Sequence, residues 1–249
     1  MKETFYRINA GTEIRLALLT DIHNRRGLEV IRALENLKPD IILLAGDLVQ
    51  RRRSEIRNGE IMNRNVALEE KQVNVLPFLR DCRAVAPVYM SLGNHEWMLS
   101  SRDLQDLKDA GAVILDNEYV RKGDLVLGGL TSGGFYGYKK KPRSEWLGAF
   151  EKEPGLRLLL CHNPEYWALK PPFLRERNID LVLSGHAHGG QIRILGQGLF
   201  SPDQGLIPKY TGGMFTGPNG RMIVSRGLSN TVPVPRLGNP TELIYIDLV

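Results

Sequence analysis

The run Ile41-Ile42-Leu43-Leu44-Ala45 carries no polar side chain on either of its alternating faces. As a strand it must be covered on both sides, which is expected of a sheet held between other layers. The neighbouring sequence extends this pattern. Ile14 to Thr20 and Val88 to Leu92 read as further strands. Gly27 to Leu37 reads as a helix with Val30, Leu34 and Leu37 on one face, ended by Pro39. Val66 to Cys82 reads as helical with a break or restart at Pro77, and Leu104 to Ala110 as a short helix stopped by Gly111. Strand–helix alternation of this kind predicts a parallel-rich sheet with covering helices.

The second half is richer in strands. They are expected at Leu125–Leu130, Leu156–Cys161, Ile179–Ser184, Gln191–Leu195, Met222–Ser225 and Leu243–Ile246, joined by Gly/Pro-rich loops. Two sheets packed face to face with helices outside would hold both halves in one domain spanning residues 1–249. Arg51 to Arg64 has many charges and no apolar periodicity, and is expected to be an exposed, mobile loop.

Composition narrows the function classes. No apolar run approaches the ~20 residues that span a bilayer, and Glu3, Arg7, Glu13 and Arg15 interrupt any signal-peptide core. Cys82 and Cys161 form neither a zinc pair nor a disulfide framework. A soluble, cytoplasmic protein is the expectation. Lys plus Arg number 33 against 28 Asp plus Glu, a net +5 gathered at Arg25-Arg26, Arg51–Arg53 and Lys139–Lys141. These clusters read either as solvated loops or as attraction to an anionic partner, including peripheral contact with an anionic membrane. The excess is too small to favour a nucleic acid.

The chemistry concentrates at expected strand ends. The five histidines fall in Asp21-Ile22-His23, Asn94-His95-Glu96, His162-Asn163 and His186-Ala187-His188, and Gly46-Asp47 ends a further strand. In extended backbone, residues two apart point the same way. Asp21 with His23 would then reach one metal ion, and His186 with His188 one ion or two adjacent ones. Glycines 46, 93 and 185 would allow sharp turns or close approach. The mixed nitrogen and oxygen donors suit Mn²⁺, Fe or Zn²⁺ better than Ca²⁺. They are too many for one tetrahedral zinc and suit two ions sharing a carboxylate, an arrangement that serves attack on phosphate esters. Asp-x-His alone is a weak signal, whereas Gly-His-x-His-Gly-Gly is a strong one.

In this order the five segments resemble the calcineurin-like metallophosphoesterase family, over about Ile14 to Leu248. Gly189-Gly190-Gln191-Ile192, Asn163-Pro164 and Ser225-Arg226-Gly227-Leu228 are similar to one bacterial branch that contains membrane-surface phosphohydrolases, some similar to UDP-2,3-diacylglucosamine diphosphatases. The resemblance implies an α/β fold, a four-layer α-β-β-α sandwich of two mixed β-sheets flanked by helices. It also implies two divalent metal ions. Asp21, His23 and His188 would hold the first, Asp47 would bridge, and Asn94, His162 and His186 would hold the second. His95 would stand beside the ions as the catalytic histidine, with Asn94 next to it. Glu96 is a candidate for orienting His95.

The reaction implied is attack of a metal-activated hydroxide on a phosphodiester or diphosphate, nucleotide- or lipid-linked. His95 would protonate the leaving oxygen or donate to a phosphoryl oxygen. Arg226 and Tyr136 are candidate substrate contacts. The aromatic, glycine-rich segment Gly133–Tyr138, with its following lysines, could stack a nucleobase or meet a lipid surface, or pack on a sheet edge. A nuclease and a non-catalytic scaffold of the same fold are the alternatives. The presence of His95 and of every expected ligand speaks against the scaffold.

Overall fold

The computed structural model describes residues 1–50, 66–133, 142–201 and 203–249, with the backbone of 56–57 and 60–61. Twelve strands build its two main sheets: β1 Lys2–Ile8, β2 Ile14–Leu19, β3 Ile41–Ala45, β4 Val88–Ser91, β5 Ala112–Ile114, β6 Glu118–Lys122, β7 Leu125–Leu130, β8 Leu156–Cys161, β9 Leu181–Ser184, β10 Gly213–Thr216, β11 Arg221–Val224 and β12 Glu242–Leu248. The first sheet runs β1-β12-β2-β3-β4-β5 and the second β10-β11-β9-β8-β7-β6. Both are mixed. In the first, β2, β3, β4 and β5 are parallel neighbours, and β12 is antiparallel to β2. In the second, β7, β8, β9 and β11 are parallel, with antiparallel β6 and β10 at the edges.

The period-2 alternation of strands sorts the apolar residues into layers. Leu16 and Leu18 of β2 share a buried cluster with Leu43, Leu127, Leu158, Leu160, Leu183 and Ile223, drawn from both sheets. That cluster is the interior of the sandwich. Ala17 and Leu19, on the opposite face, join Leu34, Phe78, Leu79 and Leu107 of helices α1 (Leu28–Leu37), α2 (Val75–Val85) and α3 (Ser101–Asp109). The outer face of the second sheet, with Val126, Leu159, Val182 and Met222, is covered by Leu147, Phe150, Tyr166 and Trp167. The sandwich is therefore the expected one, but this last layer differs in kind. It is made of the short helix Leu147–Phe150 and the 3₁₀ turns Pro164–Trp167 and Leu174–Glu176.

Local departures have physical reasons. The restart expected at Pro77 is present: one helix ends at Lys71, α2 begins at Val75, and Pro77 sits in its first turn. There the missing N–H has no intrahelical partner to lose. Within the expected loop after β3, Ile56–Arg57 pairs antiparallel with Glu60–Ile61. The rest of Arg51–Arg64 lies outside the described residues, as do Tyr136 and Lys139–Lys141. Among the described residues no helix is long and apolar enough to cross a membrane.

Candidate metal centre

The loops that leave β2, β3, β4, β8 and β9 meet at one end of the sandwich, because these strands run parallel within each sheet. They bring together nearly every ligand candidate named above. Asp21, His23 and His188 present donor atoms within 4.8 Å of one another, as do Asp47, His162 and His186, and also His23, Asp47 and His95. Asp47 is central. Its Oδ2 lies 3.1 Å from His162 Nε2, 3.7 Å from His23 Nε2 and 3.8 Å from His95 Nε2. Asp21 Oδ1 lies 3.4 Å from His188 Nε2 and 3.7 Å from His23 Nε2. The two adjacent histidines divide: His188 stands with Asp21, His186 with Asp47.

The pairing within motifs does not come from strand alternation, as the spacing suggests. Asp21, His23, Asp47, His186 and His188 have φ of 55°, 50°, 56°, 68° and 46°. All five are left-handed, a conformation that costs an L-residue of this kind about 1–2 kcal/mol. Strain concentrated on one cluster of polar side chains marks a constrained site. The tight packing of the loops adds to it. A Cβ on Gly185 would lie 2.5 Å from Asp21 Oδ2, and one on Gly93 would collide with Asp47.

The side chains are buried and short of partners. Asp21 Oδ1, both ring nitrogens of His23, Asn94 Oδ1 and His162 Nε2 are buried without an aligned hydrogen bond among the described residues. Leaving so many polar atoms unmatched in one place is costly unless something else binds them. Carboxylate and imidazole donors converging on one volume fit divalent metal ions of the Mn, Fe or Zn class. His162 is preset for this: Nδ1 donates to the Ala45 carbonyl at 2.8 Å, which turns Nε2 toward the cluster as the nitrogen that a metal would take.

Electrostatics agree with an anionic seat. Burial opposes ionisation of Asp21 and Asp47, but the surrounding imidazoles, His188 for Asp21 and His162 for Asp47 foremost, hold both below the usual carboxylate range. Burial brings His188 down to about 4. It opposes protonation of His162 too, but Asp47 outweighs it and the ring is raised.

His95 donates its backbone N–H to Asp47 Oδ1 at 2.9 Å, and its side chain is 15% exposed. Glu96 does not orient that ring. Its carboxylate accepts from the backbone amides of Gly93 at 2.7 Å, Asp47 at 2.9 Å and Val49 at 3.1 Å, bracing the loops that carry Asp47 and Asn94. Arg226 pairs with Glu242 at 2.8 Å. Tyr166 and Trp167, the residues after Asn163-Pro164-Glu165, pack in the core behind the second sheet.

Two contacts escape the sequence. Arg236 Nη2 lies 3.1 Å from His188 Nδ1. Asp203 takes a hydrogen bond at His186 Nε2, and Glu165, His186 and Asp203 present donor atoms within 4.8 Å of one another. Neither Asp203 nor Arg236 belongs to a motif, and no local signal marks them.

Comparison with known proteins gives the same picture. A family model described as calcineurin-like phosphoesterase matches residues 14–190. An uncharacterized metallophosphoesterase of Helicobacter pylori is 27% identical over 265 residues, which cover 100% of this chain and 64% of the relative. The chain thus spans less than two thirds of that relative's length. The phosphodiesterase YaeI of Escherichia coli is 28% identical over 98% of the chain and 85% of its own length. A dimetal phosphatase from Danio rerio superposes with a TM-score of 0.55 at 14% identity, over 88% of this chain and 89% of that one, a likeness of fold.

Proposed function

The chain belongs to the calcineurin-like phosphoesterase family, metal-dependent hydrolases of phosphoesters, and from that premise we propose a phosphodiesterase or diphosphatase working with two divalent cations. The observation that carries the reading is the pair of donor groups, Asp21/His23/His188 and Asp47/His162/His186, set side by side with His23 and Asp47 on a third group between them. Seven side chains would hold the ions: Asp21, His23 and His188 the first, Asn94, His162 and His186 the second, with Asp47 shared. When bound, such ions polarise phosphoryl oxygens and make water acidic near neutrality.

The chain's own residues do the remainder. Asp21 and Asp47 supply two negative charges, so the loaded seat keeps a net positive charge that draws a phosphate in. Asp47 fixes His95 through its backbone N–H. His95, partly exposed at the rim, holds a proton at Nε2 and passes it to the leaving oxygen. Glu96 keeps the Asp47 and Gly93 loops in register. The name of the Escherichia coli relative supports a diester as the substrate class. Turnover of bis-p-nitrophenyl phosphate by manganese-loaded protein tests this: wild type should be active and chelator-sensitive, and His95→Ala should lose turnover while keeping its metal. Full turnover by His95→Ala would remove the acid role.

An apolar rim favours a lipid-linked substrate at a bilayer surface. Ile194, Leu195, Phe200, Leu206 and Ile207 are all exposed, Leu195 completely. They lie on two hairpins, Arg193–Ile194 with Gln197–Gly198 and Phe200–Ser201 with Gly205–Leu206, that directly follow the His186-Ala187-His188 turn. Exposed Lys209 follows the second hairpin. Protruding aliphatic tips beside a cation suit the boundary of an anionic bilayer.

A further inference from the structure

His186 and His188 leave one turn, but their outer nitrogens meet opposite chemistry. The Arg236 guanidinium stands beside His188 Nδ1. Asp203, seventeen residues beyond His186, faces His186 Nε2. A carboxylate there places the ring proton on Nε2, so Nδ1 is the nitrogen left for the seat shared with Asp47 and His162. A carboxylate on the far nitrogen also fixes the rotation of a ligating imidazole and makes it a stronger donor.

The segment that carries Asp203 is anchored. Asp203 lies in the turn between Phe200–Ser201 and Gly205–Leu206, with its side chain 5% exposed. Its neighbour Gln204 donates from Nε2 to Glu165 Oε1 at 2.7 Å and to the Tyr210 carbonyl at 3.0 Å, and accepts from the Tyr210 amide at 2.9 Å. Glu165 sits in the 3₁₀ turn that follows His162-Asn163. A continuous set of bonds therefore joins the turn behind His162, through Glu165 and Gln204, to Asp203 and His186. Glu165 Oε2 is buried with no hydrogen-bond partner among the described residues, which adds negative potential on the same side of the ring.

We propose that Asp203 is a positioning residue of the second cation seat: it holds His186 with Nδ1 toward Asp47 and His162, and strengthens that seat alone. The inference rests on the two-cation reading above.

The test is equilibrium dialysis of the full chain against Mn²⁺ alone, with metal counted by mass spectrometry and the manganese spectrum read by electron paramagnetic resonance. Wild type should hold two ions with a spin-coupled signal. Asp203→Ala should bind the second ion about 10–100-fold more weakly, show an uncoupled single-ion signal, and keep the wild-type circular dichroism spectrum without metal. Asp203→Asn, whose amide oxygen still accepts from Nε2, should fall between the two. An Asp203→Ala variant that binds both ions as wild type does, or loses both equally, would overturn the inference while leaving the two-cation reading intact. A wild type that binds fewer than two ions would overturn that reading and this inference with it.

Discussion

His162 Nδ1 lies 2.8 Å from the carbonyl oxygen of Ala45, a bond that ties the loop after β8 in one sheet to the end of β3 in the other. The carbonyl can only accept, so the bond sets the tautomer and turns Nε2 toward Asp47 Oδ2, 3.1 Å away. Removal of this side chain by His162→Ala should leave one ion per chain in place of two, read by metal counting after dialysis. Two tightly held ions in that variant would contradict the assignment of His162 to the second seat.

Asp47 faces His162, His23 and His95 with one carboxylate oxygen and the His95 amide with the other. Asp47→Asn keeps the shape and removes the charge. Both ions should then bind more weakly. Selective loss of one, seen in a Mn²⁺ titration, would show that Asp47 is not shared.

Glu96 is buried and accepts from three backbone amides. Glu96→Gln exchanges one acceptor oxygen for an NH₂ group facing those amides. A loss of about 1–3 kcal/mol is expected, the cost of a buried polar group left unmatched. Urea unfolding of metal-free protein measures it, and an unchanged midpoint would show that the loops do not depend on this brace.

Burial opposes the charge on Glu242, but hydrogen bonds from Arg226 and Thr4 hold its carboxyl below the ordinary glutamate value of 4.5. The folded state then binds its proton less readily than the unfolded chain. The stabilisation is complete above the unfolded value and is lost as pH falls through the lower, folded one. Glu242→Gln should therefore narrow its stability gap from wild type as the pH drops below 4.5, in melting curves of chelated protein. A gap independent of pH would mean the Arg226 pair contributes no net charge interaction.

The rim formed by Leu195 and Leu206 should bind vesicles. Cosedimentation with phosphatidylglycerol vesicles should exceed that with phosphatidylcholine, and Leu195→Asp with Leu206→Asp should abolish it while leaving hydrolysis of a soluble diester unchanged. Equal recovery of both proteins with the vesicles would remove the bilayer reading.

Much of this could be read from the chain because its signals are local. The apolar runs at Ile41–Ala45 and Leu158–Cys161 lie in strands because only burial on both faces accommodates them. β1 was not legible: its polar residues alternate at a sheet edge, and its partner β12 lies at the far end of the chain. The ligand residues stood out by type, but the geometry inferred for them was wrong. Alternation presumes extended backbone, whereas Asp21, His23, His186 and His188 are left-handed. Asp203 and Arg236 were invisible because their contacts are made by loops 17 and 48 residues away from the histidines they touch. Arg226, beside Ser225 and Gly227, drew attention by position, but its guanidinium is engaged by Glu242.

The central claim is that two cation seats lie side by side and act together. The most direct measurement is metal per chain, with diester turnover on the same samples, for wild type, His162→Ala and His188→Ala. Wild type should hold two ions and be active, and each variant should hold one ion with little activity. One ion in wild type, or full turnover by a variant that holds only one, would contradict it.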